Sequence, residues 1–476
     1  MILRSTVAPL VLVAIAACDR SSTRSPASSS PPAAAAAGSV LAAAAEPALI
    51  ADIPNVVTTP AALARAIRLE RAWVAAGRPK TSVIDKALTS VFAQADGVKI
   101  DLTANPPYTG TDDAAFRDAA DASIAHLPNL ALACALERGP SCTKGVEILT
   151  RWATARSATG QLPGEALSAG TCPAQITEAG LTIARYFEQL GDGYRLLAGD
   201  MDKTQRDAVT GWFHALGLSI KTAHECWLRA HKGEGANNHL PAHVKGMTIA
   251  GLLAHDATLV RYATEDPADN FNFVRLVDVG IYEKDNPNNE FRQPALVPLP
   301  SLSQDYQDPR YATQPVDLTM GGNKNVRTGE IWDRYRHIDC GHPEKRELEL
   351  RGCGLSYSMG NLRDLVLTAH MLAANGMTQP GGQPFMNAVN DSILDALRFY
   401  GGYFEQIPAG SDPDKAITDP IYHREVPSQD DLEAFIVAAP HFPSEGVFGS
   451  ILSKNAKGLS DTTNAPLTVL FAPAEM

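Results

Sequence analysis

Two short segments hold side chains suited to moving a proton beside an anion. The first is Gly235-Ala236-Asn237-Asn238-His239-Leu240-Pro241-Ala242-His243, and the second is Glu349-Leu350-Arg351-Gly352-Cys353-Gly354-Leu355-Ser356-Tyr357-Ser358. An asparagine amide and a planar guanidinium both donate hydrogen bonds to a carboxylate. Histidine, with an ordinary pKa of about 6.5, exchanges protons near neutrality. A tyrosine becomes a base where positive charge lowers its pKa from about 10. His243 follows His239 by four residues, which puts both on one helix face. That spacing suits a metal, but Leu240 stands where a metalloprotease carries its glutamate, so no metal is expected. Each residue also has a plainer reading. His239 can be a helix-start histidine, Asn238 a helix cap, Arg351 a partner of Glu347 or Glu349, and Tyr357 a core tyrosine.

Both segments run into stretches that read as helix. Pro60 follows Thr58-Thr59, a cap with proline in the first turn, and Leu63, Ile67 and Trp73 then recur at helical spacing over Ala61 to Ala76. Similar periodicity predicts helices near 82–95, 112–136, 144–157, 174–198, 203–230, 238–263, 355–375 and 384–402. Trp152 and Trp212 fall inside two of them and read as core. The stretch from about 283 to 346 is rich in Asn, Pro, Asp and Arg and lacks periodicity; a loop that long is usually functional. The last 70 or so residues read as irregular, with strand-like runs such as Leu467 to Phe471. Many antiparallel helices of this length suggest a mainly α fold, an α/α toroid (an incomplete α/α barrel) around a central cleft. No fixed-period repeat supports a solenoid.

The N-terminus predicts export. Arg4 precedes an apolar run from Val7 to Ala17, too short for a permanent span. Ile15-Ala16-Ala17-Cys18 resembles the lipobox of bacterial lipoproteins, which implies cleavage before Cys18 and a lipid on it. The expected organisation is a signal peptide at 1–18, a Ser/Ala/Pro tether at 19–48 that buries too little to fold, and one domain at 49–476. No second long apolar segment is read. The expected location is the periplasm of a Gram-negative bacterium, with the lipid in the inner or outer membrane; Asp19 leans towards the inner. A net charge of −12 argues against nucleic acid. Six cysteines remain after Cys18, an even number that suggests disulfides in an exported chain. The shortest-loop pairing is Cys134 with Cys142 and Cys340 with Cys353, leaving Cys172 with Cys226; six cysteines permit about 15 arrangements.

Asn238-His239 before a small-residue helix, then Arg351-Gly352 and Tyr357 before a Leu/Ala-rich helix, resembles the alginate lyase family of helical-toroid polysaccharide lyases. Tyr108-Thr109-Gly110-Thr111-Asp112 with Arg117, and Thr150-Arg151-Trp152-Ala153, are similar to further segments of that family and come in the same order. Pro106 stands where the alginate-specific branch has a lysine. The Arg351-to-Tyr357 spacing is similar to that of sister lyases acting on mannuronan or glucuronan.

The resemblance implies β-elimination on a β-1,4-linked polyuronate, leaving a 4,5-unsaturated uronate end. Asn238 and Arg351 would mask the uronate carboxylate, and Tyr357 and His239 would take the C5 proton and protonate the leaving oxygen at C4. Asn237, His243, Tyr108, Trp332, Arg334, Arg336 and His337 are the expected substrate-binding residues. Trp332 to His337 puts aromatic rings, on which sugars stack, beside arginines that hold carboxylates. No cofactor is called for. The expected partners are an acidic polysaccharide or oligouronate, and a membrane through the lipid. Two alternatives stand: a toroid glycoside hydrolase using two of Asp333, Asp339 and Glu347, or a glycan-binding lipoprotein without catalysis.

Overall fold

Four helices of this chain begin where a side chain satisfies one of their first free N–H groups. Thr59 Oγ1 accepts from Ala62 N at 3.1 Å, with Pro60 in the first turn. Ser82 and Asp85 close a reciprocal capping box. Asn272 Oδ1 accepts from Arg275 N at 3.0 Å. A computed structural model describes residues 49–98, 113–137, 139–155, 172, 176–230, 237–267, 271–289, 326–334, 354–411, 417, 422 and 425–473. All belong to one unit, Pro47–Met476. The expected signal peptide and tether, with Cys18, lie outside the described residues.

The chain is mainly helical: α1 (Pro60–Ala75), α2 (Val83–Gly97), α3 (Asp113–Asp121), α4 (Leu127–Glu137), α5 (Pro140–Thr154), α6 (Ile176–Leu197), α7 (Lys203–Ala230), α8 (His239–Leu253), α9 (Ala257–Thr264), α10 (Phe273–Gly280), α11 (Gly354–Ala374), α12 (Ala388–Gln406), α13 (Leu432–Ala438), α14 (Gly446–Lys454), α15 (Ala456–Leu459) and α16 (Ala465–Phe471). The only extended pairing among the described residues is two isolated bridges, Ile281–Ile331 and Thr378–Pro384.

Helix α8 is the centre of the arrangement. Every residue from His239 to Leu253 is buried, as expected of a helix packed on all sides. Glycines let its neighbours come close. A Cβ on Gly180 of α6 would lie 3.3 Å from His243 Nε2, and one on Gly246 would lie 3.1 Å from Ala184 Cβ. Further along, a Cβ on Gly191 would meet Ile249, Leu253 and Val56. Residues 180, 184 and 191 therefore track 243, 246 and 249–253, and α6 and α8 run parallel. Helix α7 runs the other way against both, since Gly217 abuts Ala250 while Gly180 abuts Ala223. Helix α11 is parallel to α8. Its middle meets α8 where Lys245 Nζ lies 2.7 Å from Asp364 Oδ1, and its C-terminal half reaches the carbonyl of Val57 through His370 Nε2 at 2.9 Å. The same end is tied by Asp192 of α6, whose carboxylate accepts from Val57 N at 2.9 Å and Thr58 Oγ1 at 2.7 Å. Helices α6, α8 and α11 thus point their N-termini one way.

Several sequence expectations change. The C-terminal region is helical, and Leu467 to Phe471 lies in α16 rather than a strand. The single helix expected near 112–136 is two, Asp113–Asp121 and Leu127–Glu137, separated by a 3-10 turn at Ile124–His126. Residues 238–263 also form two, broken where Asp256 caps α9 and His255 takes a left-handed φ of 55°. Phe116–Glu137 is long and apolar enough to cross a membrane by length and composition, which the sequence reading missed. It is broken by that turn, and α4 within it packs on α6 where Leu127 meets Gly193, so it serves as core. Trp152 and Trp212 are core, stacked 6.1 Å apart.

Two of the expected disulfides are present, Cys134–Cys142 and Cys172–Cys226, spanning 8 and 54 residues. Cys340 and Cys353 lie outside the described residues. Loop-closure entropy gives the longer bridge about 4 kcal/mol and the shorter about 2.5 kcal/mol, so Cys172–Cys226 is the stronger brace.

The far end of α11 holds a pH-sensitive pair. The Val57 carbonyl can only accept, so His370 Nε2 carries the proton. His370 Nδ1 then accepts from His441 Nε2 at 2.9 Å. Burial pushes His370 down to about 4, with the Val57 bond opposing and His441 adding to the shift. Its neutral form is favoured in the fold, so its contribution is complete above the ordinary value of about 6.5 and is lost as pH falls from there towards 4. The loss is about 3 kcal/mol. Urea unfolding at pH 7 and pH 5 should show a smaller pH-dependent drop for His370→Gln than for the parent; equal drops would exclude His370 as the source.

Candidate active site

The N-terminal end of α8 is built by side chains next to it in sequence and in space. Asn237 Oδ1 accepts from His239 N at 3.1 Å, so Asn237 does the capping. Asn238 has helical backbone angles and makes no cap bond. It is buried, and its Oδ1 has no hydrogen-bond partner among the described residues. His239 stacks on Trp227 with ring centroids 3.8 Å apart and planes 18° apart. Trp227 follows Cys226 directly, so the long disulfide braces the platform under the histidine. His243 is fully buried one turn on, edge-on to His239 at 6.0 Å and to His224 at 5.8 Å. It sits behind His239.

Tyr357 lies in the first turn of α11 and is half-buried. Arg185 of α6 stands within electrostatic range of it and of Asp364, Arg363 and Arg117. Burial pushes the Arg185 guanidinium down, against the pull of Asp364. Beside Arg185 opens a cavity of about 420 Å³ whose polar wall includes Arg117, Asp121, Arg185, Gln189, Arg363 and Glu433. Leucines of α4, α6 and α16 form its apolar side. Its wall includes none of Asn238, His239 and Tyr357; Arg185 is the link between the cavity and Tyr357.

A charged network lies against this cavity. Lys245 is fully buried and pairs with Asp364 at 2.7 Å and with Glu188. Burial pushes Lys245 down, but Asp364 and Glu188 outweigh it and hold the ammonium above its ordinary value. Arg363 Nε lies 3.8 Å from Asp364 and 3.9 Å from Glu433. Burial, with Glu188 beside it, raises the Glu433 carboxyl to about 8. Burial raises Asp431 to about 7, against the pull of Arg363.

The residues expected from sequence separate into three groups. Asn237, Asn238, His239, His243 and Tyr357 lie at the shared N-terminal end of α8 and α11. Trp332 and Arg334 are buried rather than presented on a loop, at 1% and 3% exposure, and Arg334 Nε lies 3.4 Å from Glu330. Packing there leaves no open ring face for a sugar. Asp333 is buried too, with its Oδ2 accepting from Asn361 Nδ2 at 3.2 Å. Tyr108, Arg336, His337, Asp339, Glu347 and Arg351 lie outside the described residues. Sequence reasoning missed Arg185, Gln189, Lys245, Arg363 and Glu433. Their one local signal was charge inside an apolar helix, as in Leu362-Arg363-Asp364-Leu365. Among the described residues the one grouping of three metal donors is Cys134, Cys142 and Asp200, and its two cysteines are bonded to each other. Compared with protein-family models and with characterised proteins, the sequence matches none.

Proposed function

We propose that this protein is a polysaccharide lyase that cuts a β-1,4-linked polyuronate, such as polymannuronate or glucuronan, by β-elimination. On this reading the helices form an α/α toroid of the alginate lyase type, on an exported chain anchored by a lipid at Cys18 in the periplasm. The observation that supports it best is the placement of His239 and Tyr357. They start two parallel, touching helices, and Arg185, within electrostatic range of Tyr357, lines a cavity whose wall carries both arginines and carboxyls.

The chemistry assigns each group a task. Removing the C5 proton places negative charge next to a carboxylate, so that carboxylate must be masked first. The side-chain N–H of Asn238 would donate to it, and Arg351 would add a bidentate fork. Tyr357 and His239 take the C5 proton and deliver one to O4; where both lie on one face of the sugar, Tyr357 alone serves both steps. No metal or cofactor takes part, so a chelator leaves the rate unchanged. The test is incubation with polymannuronate, glucuronan and mixed alginate while following the ultraviolet absorbance of the unsaturated uronate. A rise is the expected result. Its absence on all three polymers would sink the reading.

One observation favours a second reading, a glycoside hydrolase. Glu433 lines the cavity, and burial raises its carboxyl to about 8, the direction a general acid needs. New reducing ends without the absorbance rise would favour it.

A further inference from the structure

We propose that the cavity beside Tyr357 is a uronate subsite in which Arg185 holds the carboxylate of a second sugar, next to the one that is cut. The proposal rests on the polyuronate reading and extends it to the choice of substrate. Arg185 makes no hydrogen bond or ion pair among the described residues. Its neighbour Arg363 already faces Asp364 and Glu433. Asp364 acts on Arg185 only through space, so the guanidinium keeps its hydrogen-bond donors for a carboxylate that enters the cavity.

The surroundings narrow the ligand. Gln189 lies four residues beyond Arg185 on the same face of α6 and lines the same cavity. Its Oε1 has no hydrogen-bond partner among the described residues, so the amide is not locked and can turn to a hydroxyl. Leu132, Leu196 and Leu470 offer apolar surface to the C–H face of a ring. The cavity, at about 420 Å³, falls within the range of small-ligand sites. Asp121, Glu188 and Asp430 also line it. So many carboxyl groups oppose a dianion such as phosphate, while a singly charged uronate matches the one uncommitted arginine. A neutral sugar would leave that arginine without a partner.

Titration calorimetry of the full chain with sodium D-glucuronate, D-glucose and inorganic phosphate tests the subsite apart from catalysis. Glucuronate should bind and the other two should not. Arg185→Gln should weaken glucuronate binding roughly tenfold to a hundredfold, the loss of a hydrogen bond to a charged group. Arg185→Lys should keep part of it, and an unchanged thermal midpoint would show that both variants fold. On polymer, Arg185→Gln should raise KM and spare kcat, since the contact is made equally in ground and transition states. Unchanged glucuronate binding in Arg185→Gln, no glucuronate binding by the parent, or equal binding of glucose or phosphate would overturn the proposal. A parent that binds glucuronate through Arg185 but yields no unsaturated product would leave the subsite standing and remove the lyase.

Discussion

Lys245→Met should lower the unfolding free energy by about 3–5 kcal/mol. The ammonium is fully buried between Glu188 and Asp364, and these are almost as deeply buried. Methionine keeps the length and the packing but removes the charge. Two carboxylates are then left in the interior with one less cation to balance them. Arg363 already acts on Asp364, Glu188 and Glu433, so it is the one cation left to this group and cannot balance all three. The carboxyls would respond by binding protons, so the variant should be relatively more stable at low pH than at neutral pH. Urea unfolding at pH 5 and pH 7 reads both effects. Adding Glu188→Gln to Lys245→Met should recover part of the loss, because it removes one uncompensated charge. A Lys245→Met protein with the parent's unfolding midpoint would show that the network carries little of the fold's stability.

Tyr357→Phe should abolish the formation of unsaturated uronate, by roughly 10²-fold to 10⁴-fold in kcat, the usual worth of a positioned acid or base. Only the hydroxyl oxygen is lost, from a half-buried ring in the first turn of α11, so the fold should be intact. His239→Ala should also lose activity, and through two causes. It removes the proposed proton-transfer group and the ring stacked on Trp227. For that reason Tyr357→Phe is the cleaner test. Initial rates on polymannuronate, set against the thermal midpoint, separate chemistry from folding. A fully active Tyr357→Phe would remove that residue from the mechanism.

Both predictions concern residues on α8 and α11, yet only one was visible beforehand. Asn238, His239 and Tyr357 sit in local signatures at helix starts, where polar residues before an apolar run stand out. Lys245 and Arg363 lie within helices whose apolar pattern is strong enough to hide them, and their partners come from α6 and α13, far away in sequence. Helix α7 was read with its observed ends, 203–230, because a long amphipathic stretch leaves little choice of period. Helix α16 was misread because Leu467-Thr468-Val469-Leu470-Phe471 is a short apolar run, for which periodicity cannot separate strand from buried helix. Pro466 near its start was the signal for a helix. The breaks at residues 122–126 and 254–256 were missed because the apolar spacing runs on through them.

The bridge from Cys172 to Cys226 has a consequence for the timing of maturation. Trp227, the next residue, is the ring on which His239 rests. A newly made chain in a reducing compartment has no such bridge, so the platform under the histidine is not yet braced. On the proposed export, oxidation outside that compartment would then brace the ring beneath the histidine. If the protein is the exported lyase proposed above, a cell making it would be shielded from that activity until the chain had left the compartment of its synthesis.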